Sequence, residues 1–244
     1  MSDTPHASWA EVYALVYEKS FGSFYSELTK QTLNLIQNRF STDLSILDFG
    51  AGTGRISLPL AKAGYPVTAV DSCQEMIEQL KRKDSANQVN TIFSTMEDFQ
   101  SEDTFDLVLC VFTVLIYLLD ENQLEKAVGS AFKSCKSGGY MLMDIPSRGI
   151  FSGNQFENDG VKRKIKVEEM KDGLYQYNEQ IKIENGAGEE MIYQDSFPIR
   201  YWDPEKVLHL LEEKGFKMEE ELSGHFSGSG SNYFLFCKDV EGKI

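Results

Sequence analysis

ILDFGAGTGR, residues 46–55, places glycines at 50, 52 and 54 directly after a short apolar run that contains Asp48. Glycine is spent where the backbone must take a left-handed turn or let another molecule come close. A turn leading from a strand into a helix also points backbone N–H groups and the positive end of the helix at whatever lies above it. The spacing is G-x-G-x-G. The dinucleotide-binding pattern G-x-G-x-x-G would need its third glycine where Arg55 stands. Asp71 closes the next apolar run, 17 residues past Gly54. A carboxylate there can accept hydrogen bonds from both hydroxyls of a ribose. The plainer reading is that the glycines only make a tight turn and Asp71 only caps a helix. The two features fall together at the carboxyl ends of adjacent strands, where open α/β sheets bind ligands.

Outward from the loop, apolar runs alternate with helical periodicity. LSILDFG reads as a buried strand, RISLPLAKAG as a helix stopped by Gly64, PVTAVD as a strand, and SCQEMIEQLKRK as a helix opened by Ser72. VNTIF, FDLVLCV, the helix ENQLEKAVGSAFKSC and GGYMLMDIP continue the pattern. Two helices, WAEVYALVYEKSF and FYSELTKQTLNLIQNRF, precede it. The fold class expected is α/β: a Rossmann-like, mostly parallel seven-stranded sheet with helices on both faces. After Pro146 the period shortens toward two residues. VKRKIKVEEM, LYQYNEQIKIE and EEMIYQDSFPIRYW are separated by Asp172-Gly173 and by a stretch beginning Asn185-Gly186, which are hairpin signals. A small antiparallel insert of about three strands is expected there, with PSRGIFSGNQFENDG ahead of it as a mobile lid. The helix DPEKVLHLLEEKG and the strand pair FKMEEELSG and SNYFLFCK close the chain.

The whole reads as one domain: N-terminal helices over 1–43, a core over 44–145, an insert over 146–200 and a closing helix and strand pair over 201–244. The net charge of −14, from 24 basic and 38 acidic residues, disfavours binding that rests on neutralising phosphates, so no nucleic-acid partner is expected. The four cysteines, Cys73, Cys110, Cys135 and Cys237, form no C-x-x-C pair and read as reduced structural thiols; no metal site is expected. No leader pattern and no membrane-length apolar run are visible, so a cytoplasmic protein, monomer or homodimer, is expected.

LDFGAGTGR, VTAVDSCQEM, TMEDF followed by FDLVLCVFTVLIYL, and KSGGYMLMDIP together resemble the class I S-adenosylmethionine-dependent methyltransferases, small-molecule type, over residues 44–146. That resemblance implies S-adenosyl-L-methionine as cofactor. It implies that Asp48 and the backbone of Gly50, Ala51, Gly52, Thr53 and Gly54 face the methionine end, and that Asp71 holds the ribose. Ser72 and Met76 would flank the adenine, with Met96 and its neighbour Glu97 at the adenine edge. Thr95 stands where many relatives carry an aspartate. Cys110 and Phe112 would line the sulfonium region, and Tyr17, with Tyr13 a turn before it, would fold over the cofactor. Tyr117 and His225 are the acceptor-site and catalytic candidates; His209 reads as packing, and His6 as tail. Tyr175, Tyr177, Tyr193 and Phe197 of the insert could roof a small acceptor.

The chain has CVFTV where nucleic-acid amino-methylating relatives carry [DN]-P-P-[YF], so a small-molecule acceptor is expected, with a basic peptide as a further possibility. An NAD(P)-dependent oxidoreductase and a cofactor-binding module without catalysis stand as alternatives.

Overall fold

The computed structural model describes residues 4–21, 23–184 and 189–239. The first helical stretch divides into a 3-10 turn over Ala7–Val12, kinked at Trp9, and helix α1, Tyr13–Phe21. Helix α2 spans Ser23–Arg39. The alternating part follows as β1 (Ile46–Phe49), α3 (Ser57–Lys62), β2 (Val67–Asp71), α4 (Gln74–Lys83), β3 (Val89–Phe93), β4 (Phe105–Cys110), α5 (Glu121–Ser134) and β5 (Cys135–Pro146). The insert contains β6 (Asn154–Asn158), β7 (Val161–Glu169), β8 (Leu174–Glu184) and β9 (Glu190–Arg200). Helix α6 (Pro204–Lys214) and strands β10 (Phe216–Glu221) and β11 (Ser231–Lys238) complete the described chain.

The main sheet has seven strands in the order β10-β11-β5-β4-β1-β2-β3. Strands β3, β2, β1, β4 and β5 run parallel, while β11 is antiparallel to β5 and to β10. Its strands are apolar on both faces because each face is covered, as the continuous apolar runs require. Leu47, Val108 and Met143 face α5 and α6, whereas Ile46, Leu109 and Leu142 face α2 and α3. The strand order reverses between β1 and β4, which opens a crevice at their carboxyl ends beside the glycine loop.

Three local expectations change. The insert is a four-stranded antiparallel sheet, β6-β7-β8-β9, and the segment expected as a mobile lid supplies its edge strand. The overlooked signal is Asp159-Gly160, whose φ values of 45° and 76° make the tight turn into β7. Asp172-Gly173, at 53° and 78°, makes the next one as read; the Asn185-Gly186 stretch lies outside the described residues. Ser72 does not open α4. The helix begins at Gln74 behind Cys73, whose N–H donates to Asp71 Oδ1 at 2.8 Å.

Sheet β6–β9 reaches the core through Ile116, Tyr175, Phe197 and Ile199. On the other side, Trp9 and Val16 bury against Val161, Ile181 and Ile183, while Ala10 and Tyr13 pack on Cys73 and Met76 of the core. The N-terminal segment is therefore a strap between insert and core.

Candidate active site

The strap, the insert and the carboxyl ends of β1, β2 and β4 enclose a cavity of about 730 Å³, within the range of small-molecule sites. Its floor is the glycine loop. Gly50, Gly52 and Gly54 all take positive φ, at 68°, 55° and 84°. Their reasons differ. A Cβ on Gly50 would sit 2.5 Å from Val114 Cγ2, and one on Gly54 would sit 2.9 Å from both Leu58 and Leu80. A Cβ on Gly52 would meet no protein atom within 4 Å, so it would project into the open cavity. Of the glycines, then, Gly52 leaves room for a ligand, while the other two leave room for protein. Gly54 lies outside the lining, beneath the loop.

Asp71 fixes this floor. Its Oδ2 accepts from Gly52 N–H at 2.7 Å and its Oδ1 from Cys73 N–H, which locks loop and strand end together while the carboxylate still borders the cavity. Burial pushes its pKa up, opposed by those two backbone donors. Asp48 is almost fully buried and accepts from Ser57 Oγ–H; burial lifts its carboxyl to about 7. Ala51, Thr53, Ser72, Met76, Thr95, Met96, Glu97 and Phe112 also line the cavity. The Thr95 hydroxyl is engaged locally, bonded to Asp98 Oδ2 and to Asp98 N–H, each at 3.1 Å. Cys110 does not reach the lining: its side chain is wholly buried with Sγ 4.0 Å from Met96 Sδ, one layer below the floor.

The opposite half is aromatic and polar. Tyr17 stacks on Tyr13 with centroids 4.5 Å apart, and Arg163 lies 4.7 Å from the Tyr17 ring. Tyr117, Tyr177 and Phe197 close the roof, and Tyr177 stacks on Phe197 at 4.9 Å. Tyr175 packs behind them on Phe151, and Tyr193 belongs to the cluster around Trp9.

The histidine readings invert. His225 is exposed on a turn, edge-on to Phe226, and does not line the cavity, so the catalytic expectation for it is withdrawn. His209 is exposed as well, with Nε2 3.3 Å from Glu213 one turn on. His6, read as tail, is buried in the cavity wall with Nε2 2.8 Å from the Tyr117 hydroxyl. Its Nδ1 lies 3.7 Å from Glu179 Oε2, and each of those two atoms is buried with no hydrogen-bond partner. Glu179 in turn is bonded to Arg163 through Oε1. Burial, aided by the Arg163 charge, lowers His6 to about 3, so the ring is neutral. A neutral ring with its proton on Nδ1 facing Glu179 accepts the Tyr117 proton at Nε2.

Sequence reasoning missed His6 because nothing within TPHASW marks it as inward; only Trp9, one turn on, belongs to the same buried face. Arg163 and Glu179 were legible as charges in strands but not as inward ones. Both are nearly inaccessible.

Residues 46–139 match the family model of the methyltransferase domain. A ubiquinone biosynthesis O-methyltransferase of Rickettsia akari (strain Hartford) is 40% identical over 76 residues, 30% of either chain. The chain spans less than half the length of the curated relatives it matches first, 42% and 30%. A crystal structure of an S-adenosylmethionine-dependent methyltransferase from Clostridium acetobutylicum ATCC 824 superposes with a TM-score of 0.79 at 18% identity, covering 94% of this chain and 98% of that one. The sugar N-methyltransferase KedS8 from Streptoalloteichus sp ATCC 53650 superposes at 0.71 with 19% identity, covering 94% and 92%. Residues 46–139 are thus similar to the methyltransferase domain, and the chain has the fold of the S-adenosylmethionine-dependent methyltransferase structures it superposes on.

Proposed function

We propose that the protein is a methyltransferase that uses S-adenosyl-L-methionine and moves its methyl group to a small molecule by in-line displacement. The observation that carries this reading is the cleared space over Gly52 beside the Asp71 carboxylate. A nucleoside that fills that space lays its ribose hydroxyls on Asp71, whose oxygens keep lone pairs beyond those used by Gly52 and Cys73. Met76 supplies a soft apolar face for the base, with Ser72 and the backbone at Met96 and Glu97 around it. Asp48 accepts from the ammonium end.

When bound, the cofactor supplies a methyl group already activated on a sulfonium. The chain's own work is to orient the acceptor and keep water out. Tyr117, its proton committed to His6, offers oxygen lone pairs toward the cavity, and these can hold the N–H or O–H of an amine or hydroxyl acceptor. Tyr177 and Phe197 roof that position. The size of the cavity and the negative net charge favour a small acceptor over nucleic acid. The R. akari and KedS8 names, both of small-molecule methyltransferases, point the same way. Action in the cytoplasm as monomer or homodimer, in a single domain whose residues 146–200 choose the acceptor, belongs to the same reading. No helix among the described residues is long and apolar enough to cross a membrane.

The test is incubation with the cofactor and panels of small amines, hydroxyl compounds and basic peptides, following release of S-adenosylhomocysteine. Turnover with a small amine or hydroxyl is expected. Tight cofactor binding with no turnover on any panel would instead assign a binding module without catalysis.

A further inference from the structure

Arg55 is the guanidinium that the strand-turn-helix account leaves unused. It follows the third glycine, lines the cavity, and makes no hydrogen bond or ion pair among the described residues; its Nη1 is buried without a partner. The other large cations of this half are engaged: Arg163 with Glu179, and Arg200 with the Leu119 carbonyl. Two acids lie near enough to feel the Arg55 charge, yet neither pairs with it. Asp48 takes the Ser57 hydroxyl, and Asp144 takes Thr113 N–H at 3.0 and 3.2 Å.

The guanidinium is held between two rings, 3.8 Å from the Phe112 centroid and 4.8 Å from that of Tyr25. Ring faces hold a cation without consuming its N–H donors. Phe112 and its neighbour Thr113 are both left-handed, at φ 67° and 69°, a strained conformation for a bulky and a β-branched residue. Asp144 holds that strained pair in place and so sets the Phe112 ring under Arg55. A half-buried guanidinium whose inner nitrogen has no acceptor, set on a held platform in the cavity wall, keeps donors available for an oxyanion.

We propose that Arg55 is the receptor for an oxyanion on a ligand of this cavity. The chemistry is that of a carboxylate or phosphate meeting a guanidinium edge, and it has two sources: the carboxylate of the cofactor's methionine portion, or an acidic group on the methyl acceptor. The inference rests on the methyltransferase reading.

Titration calorimetry on wild type, Arg55→Met and Arg55→Lys separates the sources. S-adenosylhomocysteine carries the carboxylate; 5′-methylthioadenosine keeps the nucleoside and thioether and lacks the amino acid. If the cofactor is the source, Arg55→Met weakens S-adenosylhomocysteine by roughly 10- to 100-fold, the scale of charge-assisted hydrogen bonds, and leaves methylthioadenosine unchanged, with Arg55→Lys between. If the acceptor is the source, S-adenosylhomocysteine binds both variants as it binds wild type. Succinate, benzoate or phosphate then binds the saturated wild-type complex and not that of Arg55→Met. Equal behaviour of wild type and Arg55→Met toward every probe overturns the proposal, as does a variant that loses methylthioadenosine in equal measure, which would make Arg55 a prop of the loop. Wild type that binds neither nucleoside removes the methyltransferase reading itself.

Discussion

Gly52 and Asp71 form a single device, because the carboxylate that would meet a ribose also holds the glycine that makes room for it. Gly52→Ala adds its methyl to open space, so the folded protein loses only the cost of a left-handed alanine, about 1 kcal/mol, while S-adenosylhomocysteine affinity falls by an order of magnitude or more. Gly50→Ala collides with Val114 and is expected to lose more stability than Gly52→Ala; urea unfolding of the two variants makes the comparison. Asp71→Ala should cost the cofactor about 1.5–3 kcal/mol by calorimetry and should also destabilise the free protein, since two backbone N–H groups lose their acceptor. Asp48 adds a pH signature. Burial raises it to about 7, so the folded chain holds a proton there that the unfolded chain has released. Stability from this group is complete below the ordinary carboxylate range and is lost as pH rises through about 7, a loss on the order of a few kcal/mol to which Asp144, raised to about 6, adds in the same window. Asp48→Asn should therefore lose less stability than wild type between pH 5 and 8 in urea titrations. Affinity for the cationic cofactor should climb over the same range in wild type and not in the variant. The glycine spacing and Asp71 were plain in the sequence. The separate jobs of the three glycines were not, because the neighbours that decide them, Val114 and Leu80, are distant in the chain.

Among the elements, the strap over Ala7–Phe21 contributes what the core lacks. It follows His6, which it sets against Tyr117, and it seals one side of the cavity with Tyr13 and Tyr17, which stack on Trp9 behind them. His6→Ala is expected to lower kcat by about 10- to 100-fold with the cofactor dissociation constant unchanged, since it removes the partner that orients Tyr117. Tyr117→Phe should match it, and the double variant should lose no more than either single. Trp9→Ala removes a fully buried indole and should cost about 3–5 kcal/mol in urea unfolding, loosening strap and insert together. Amphipathic spacing revealed the strap as helix. Its partner was hidden, because the inward face is shared between the insert sheet and the start of α4, which come together only in the folded molecule. The fourth insert strand was legible in Asp159-Gly160, and a segment with few apolar anchors obscured it because an edge strand needs few.

At the scale of the molecule, the core binds and the added parts enclose. The seven-stranded sheet sets the loop, Asp71 and Met76 at its carboxyl edge, and the strap and the β6–β9 sheet close over them. Continuous apolar strands foretold the sheet, since burial on both faces is a local demand on each strand. The composition of the roof was beyond a linear reading: it depends on which of many strand charges turn inward, and Arg163 and Glu179 do so as a pair. Whether this crevice takes an adenosyl sulfonium is read by a calorimetric titration with S-adenosylhomocysteine run beside one with NAD. Saturable binding of S-adenosylhomocysteine that Asp71→Ala weakens, with no heat from NAD, is the expected result; saturation by NAD alone would contradict it.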